Sequence, residues 1–182
     1  MASPKRYNSL KLKLGRFFLE RKLRRTKRNV QVCPIHQAKT VGITFVVNSP
    51  NDLENIRKYL KKLNDHGITT YSMGYIPVKK PHDFYLSQDN FNFFSDKELD
   101  WQLRPKSTDA IDFVNHKFDI LIDMGTINYF PMYYLVSSSQ AKFKVGLFDE
   151  HQPVFDFMIN IDKKAGYDYY FDQVLHYLAK IN

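Results

Sequence analysis

A single α/β domain built on a mostly parallel sheet is the fold this sequence predicts, and three observations predict it. Segments that are apolar almost throughout alternate with segments whose apolar residues recur at helical spacing, the pattern of strands covered on both faces by helices. The 182-residue length fits one domain. Charge, finally, is segregated. Residues 1–30 hold eleven of the 27 Lys and Arg and only one acid, Glu20, so the excess of the +8 chain sits in a basic arm and the remainder carries about −2.

Residues 10–28 contain no proline and a single glycine, Gly15, and Leu10, Leu14, Phe17 and Phe18 lie on one side of a helical wheel. That predicts a helix within the arm of residues 1–30. In residues 21–28 cations point to nearly every side of the axis, which leaves no apolar stripe and predicts a solvated stretch or one facing a polyanion. Residues 31–39, with Pro34, read as a linker into a body spanning 40–182.

The body opens on residues 40–47, rich in β-branched side chains, as a first central strand. Ser49 is placed to cap the next helix, with Pro50 at its first position and Asp52 in its first turn. Leu53, Ile56, Leu60 and Leu63 follow at helical spacing, and Gly67 stands where a terminating glycine belongs. Residues 68–75 supply a second strand.

Residues 76–115 are the least regular, and dense in aromatics: Phe84, Tyr85, Phe91, Phe93, Phe94 and Trp101. Ser95 with Glu98 forms a capping box that predicts a short helix through Trp101, and Thr108 caps another reaching Phe113 or Val114. Beyond them lie a strand at 118–123, a helix at 131–140, strands at 143–148 and 155–161, and a final helix with Phe171, Val174, Leu175, Leu178 and Ile181. The expectation is a Rossmann-like sheet of about five strands with flanking helices, preceded by a basic N-terminal helix.

Several function classes are excluded at this level. The single cysteine, Cys33, rules out an internal disulfide framework, and neither it nor the six histidines show zinc-ligand spacing. No metal and no cofactor is expected. The longest apolar runs fall far short of the ~20 residues that span a bilayer, and the chain reads as cytoplasmic. After the first strand, residues 48–52 contain no glycine, so neither a dinucleotide fingerprint nor a P-loop is present.

Ligands in such sheets bind beyond the carboxyl ends of the strands. Asp123, and Asp149 with Glu150 and His151, occupy such positions; strand-end acids of this kind more often cap helices or stay solvated. Cys33 and His36 lie close in sequence but lack a nucleophile elbow or a third partner. The aromatic middle could stack bases, although aromatics are more often core.

The basic arm differs in kind. Lys11, Lys13, Arg16, Arg21, Lys22, Arg24, Arg25, Lys27 and Arg28 have a density found in phosphate-backbone contacts, targeting segments and anionic-lipid surfaces. The expected function is non-catalytic RNA association through these nine residues, with ribosomal RNA and neighbouring ribosomal proteins as partners. On this reading the arm can be removed with the body's fold intact. The alternative is an enzyme or ligand-binding protein using the sheet rim near Asp123 and Asp149.

Residues 117–123, 141–146 and 175–182, together with the basic start, resemble an uncharacterised family of small Bacteroidota proteins that carries a domain-of-unknown-function label. That resemblance implies a bacterial cytoplasmic protein and no catalytic residues. The body is also similar to one half of a two-domain glycosyltransferase of the heptosyltransferase type, without the second half.

Overall fold

The computed structural model describes residues 7–79, 90–150, 154–162 and 165–181. The body is a six-stranded sheet of order β3-β2-β1-β4-β5-β6, every neighbouring pair parallel. The strands are β1 (Thr40–Val46), β2 (Thr69–Ile76), β3 (Phe91–Ser95), β4 (Ile120–Asp123), β5 (Phe143–Leu147) and β6 (Phe157–Ile159). The helices are α1 (Ser9–Arg25), α2 (Pro50–Asn64), α3 (Thr108–Asn115), α4 (Phe130–Ser138) and α5 (Tyr167–Lys180). This is the doubly wound order, with its switch point between β1 and β4.

Alternation along each strand divides the core. Ile43 and Phe45 of β1 and Ile120 and Ile122 of β4 pack with Leu53 and Ile56 of α2 and Phe171 and Val174 of α5. Met73 and Tyr75 of β2 and Leu121 of β4 face Ala110 and Phe113 of α3 and Met132 and Leu135 of α4. The sheet is therefore covered on both faces, which is why its strands read as continuous apolar runs.

The expected five strands are six, the addition being β3, which falls inside the aromatic stretch read as irregular. Phe93 and Phe94 are 7% and 1% exposed and belong to the two sides of the sheet. Aromatics suit a pleated, covered surface, and five residues were too few to show a period. The Ser95 and Glu98 capping box forms, with Glu98 accepting from the Ser95 backbone and hydroxyl, but it opens one turn of 3-10 helix rather than a helix through Trp101. Ser107, not Thr108, precedes α3 as its cap residue.

The larger difference is α1. It forms a further layer outside α4: Leu19, 1% exposed, clusters with Leu103, Phe130 and Tyr134, and Leu12 and Leu23 flank it. Helix α1 docks through a face made of Leu12, Gly15, Leu19 and Leu23, the last of them inside the cationic stretch read as having no apolar stripe. Of the stripe that predicts the helix, Leu10, Leu14 and Phe17 lie exposed on the other side and Phe18 is half-buried against Trp101.

Candidate nucleic-acid interface

Helix α1 starts where the Asn8 side chain accepts from the Leu10 amide at 3.0 Å. Gly15 sets how closely it approaches the body. A β-carbon there would meet the Phe130 ring at 2.7 Å and the Gln102 carbonyl at 2.8 Å. Leu103, beneath Leu19, is held at φ 63°, a left-handed conformation costly for a branched side chain.

Both ends of the helix are pinned. Ahead of it, the Tyr7 hydroxyl lies 2.5 Å from that of Tyr75 and donates to Asp96 at 2.9 Å. Tyr75 donates to the same carboxylate at 2.6 Å. Burial pushes both phenols above their ordinary range, so they remain protonated donors. Behind it, Arg28 donates to Asp156 at 2.8 and 2.5 Å and to the carbonyls of Ala141 and Lys142 at 2.9 and 3.2 Å.

The nine expected phosphate contacts therefore separate. Lys11, Lys13, Arg16, Arg21, Arg24, Arg25 and Lys27 are exposed, whereas Lys22 and Arg28 are half-buried. Lys22 donates to the Tyr134 hydroxyl at 3.1 Å and lies over that ring, and Arg16 lies over Tyr133. Arg28 is committed to Asp156. Lys11, Lys13, Arg21, Arg24, Arg25 and Lys27 make no ion pair with any described residue. The result is a helix fixed by one apolar face, with its exposed surface carrying these cations among Leu10, Leu14, Phe17 and Glu20.

Beside that surface stands Trp101, 57% exposed and edge-on to Phe18 with ring centroids 5.6 Å apart. Of the other aromatics considered for stacking, Phe93 and Phe94 are core and Phe91 is half-buried. Phe84 and Tyr85 lie outside the described residues.

The sheet rim has a different character. Asp123 is fully enclosed; its carboxylate accepts from Thr44 Oγ1 at 2.7 Å, from the Thr126 amide at 2.9 Å and from Thr126 Oγ1. Burial pushes its pKa up, against these donors. Its role here is to tie β1 and β4 to the turn at Gly125, whose φ of 76° suits glycine. Asp149 is half-buried beyond β5, and His151 lies outside the described residues.

At the switch point, the narrow space between Phe45, Asp52, Met124 and Tyr167 is about 20 Å³, little more than one water molecule needs, for which ~10–15 Å³ suffices. Asp52 explains part of this. Its carboxylate accepts from the amides of Asn48 and Ser49, each at 2.8 Å, so the helix terminus where a phosphate would bind already holds an anion.

The Cys33 thiol donates to the Pro34 carbonyl, and burial, with Asp119 nearby, pushes its pKa up, away from a reactive thiolate. His36 contacts Gln37. Among the described residues no group of three His, Cys, Asp or Glu is placed to hold a metal ion, and no helix is long and apolar enough to cross a membrane.

The sequence reading identified the cations but missed what anchors them. Gly15, the lone glycine of an otherwise unbroken helix, was the available signal for close packing. A feature it did not single out is Lys144 of β5, 2% exposed beneath the end of α1.

Residues 11–181 match the model of DUF6913, a family of unknown function, and the chain belongs to that family. No curated protein and no solved structure matches it.

Proposed function

We propose that this DUF6913 protein is a non-catalytic RNA-associated protein, with the ribosome as the first expected partner, and that α1 is its phosphate-contacting element. The observation carrying this reading is the set of six exposed cations, Lys11, Lys13, Arg21, Arg24, Arg25 and Lys27, without a carboxylate partner among the described residues. Like charges spaced along one helix repel and weaken it. A polyanion relieves that repulsion and releases its own counterions, which provides affinity without sequence readout.

Anchoring through Leu19, Tyr7 and Arg28 adds a second advantage. A helix already ordered on its body gives up less entropy on binding than a free arm would. The narrow switch point and the enclosed Asp123 carboxylate favour this reading over an enzyme working at the sheet rim.

Sedimentation of the full-length protein with ribosomes at low salt tests it. Association that ribonuclease removes, and that Arg21→Ala/Arg24→Ala/Arg25→Ala/Lys27→Ala weakens without changing the melting temperature, is the expected result. Equal sedimentation of both forms would shift the anchor to another surface, and absence of association by either would reject the reading.

A further inference from the structure

Between the exit of α1, the last turn of α4 and the start of β5 lies a half-open cleft of about 240 Å³. Lys22, Arg28 and Lys144 bring three basic groups to its lining, and Ser137, Ser138 and Ser139 bring three hydroxyls.

Hydrogen bonding leaves donors over. Lys144 Nζ donates to the carbonyls of Val136 at 2.7 Å and Ser137 at 3.0 Å, which uses two of the three protons of an ammonium. The hydroxyls of Ser137 and Ser138 are buried and have no partner among the described residues, and Ser138 is 2% exposed. Ser139 Oγ accepts from the Ala141 amide and so keeps its hydrogen for another acceptor. Asp156, bonded to the cleft-lining Arg28, is held by that guanidinium and by the Lys144 amide.

A buried donor without an acceptor is costly and in a native protein asks for an unseen partner. Several donors lining one cleft, with the basic side chains of Lys22 and Arg28 beside them, call for an acceptor-only group with more than two oxygens. We propose that this cleft is an oxyanion site that takes the phosphate of a monoester. A half-open pocket admits a group at the end of a molecule, not a chain passing through. The site rests on the buried groups of α4 and β5 and is independent of the RNA reading, which rests on exposed cations.

The lysine supplies a signature. Burial pushes its pKa down to about 7, the neighbouring Arg28 charge acts in the same direction and Asp156 opposes them. Among the described residues Lys22 is the other charged residue lining the cleft. An oxyanion restores the charge on Lys144, so binding above neutral pH takes up a proton.

Sulfate, which does not titrate near neutral pH, and inorganic phosphate are the probes, with calorimetry of the full chain at pH 8 in buffers of different ionisation enthalpy. Saturable binding with uptake of up to one proton per sulfate is expected. Lys144→Met should abolish the uptake and weaken binding by about tenfold or more, and Ser137→Ala/Ser138→Ala should weaken it while retaining the uptake. Absence of saturable binding, or binding indifferent to Lys144→Met, overturns the site.

Two further arms identify the source of the phosphate. A Lys144-dependent gain of a 5′-phosphorylated over a 5′-hydroxyl oligoribonucleotide assigns an RNA end, whereas Lys144-dependent binding of glycerol phosphate without that gain assigns a small phosphorylated molecule. The quadruple variant of the exposed cations should keep its sulfate binding, so failure of the RNA reading is seen separately.

Discussion

Arg28 and Asp156 meet fork to fork across 128 residues of sequence, their side chains 18% and 16% exposed, and the arginine also serves two backbone carbonyls at the start of β5. The last cation of the basic run is thus a structural residue, whereas Arg21, Arg24, Arg25 and Lys27 before it are exposed and make no ion pair with any described residue. Removing one partner of an enclosed pair leaves the other charge unmatched. Arg28→Ala should therefore lower the unfolding free energy by about 2–4 kcal/mol, whereas Arg24→Ala should stay within ~0.5 kcal/mol. Urea denaturation of the two variants decides the point, and equal midpoints would remove Arg28 from the fold.

Leu19 provides the companion test from the apolar side. A fully buried leucine cut to alanine costs about 2–5 kcal/mol, and a leucine on a solvated arm costs almost nothing. Leu19→Ala should fall in the first range. For the same reason a chain starting at Val30, which the sequence alone expects to keep its fold, should melt lower because it uncovers Leu103, Phe130 and Tyr134. An unchanged melting temperature in both would mean that α1 does not belong to the core.

What the sequence made legible follows from how local each signal is. Ser49, Pro50 and Asp52 announce α2 within four residues, and the apolar runs of β1, β4 and β5 announce themselves by β-branched density. β3 did not, since Phe91 to Ser95 offers aromatics without turn residues around a clear period. For α1 the helix was legible but its packing face was not. Leu10, Leu14 and Phe17 make the denser stripe, yet the face that docks is the one where Gly15 allows backbone approach and Leu19 finds Phe130. Which of two apolar faces is buried depends on the partner surface of α4, and a helical wheel carries no information about that. Asp123 was correctly placed at a strand end, but its enclosure by Thr44 and Thr126 is a tertiary fact.

Lys144 makes stability depend on pH with a defined sign. Its folded-state pKa is depressed to about 7 from 10.5, so between those values the unfolded chain binds more protons and stability rises with pH. Below about pH 7 the amine is charged in both states and the penalty is complete. Lys144→Met should therefore be more stable than the parent at pH 6, with the difference shrinking toward pH 10. Urea midpoints at pH 6 and pH 9 read this directly, and parallel pH dependences would show that the amine is not buried as described.

Contact between the exposed cations of α1 and RNA phosphates, as proposed, is read from the salt dependence of binding to a short single-stranded oligoribonucleotide. Each phosphate contact contributes a log–log slope of about −0.7 for single strands. The full-length protein should show a steep negative slope, and Arg21→Ala/Arg24→Ala/Arg25→Ala/Lys27→Ala should flatten it by about 0.7 for every contact removed, with the fold intact. Alanine at Arg57, Lys58, Lys61 and Lys180, an equal loss of charge on α2 and α5 across the sheet from α1, should leave the slope unchanged. Equal flattening by both sets would reduce the effect to net charge and contradict the account, as would the absence of binding at low salt.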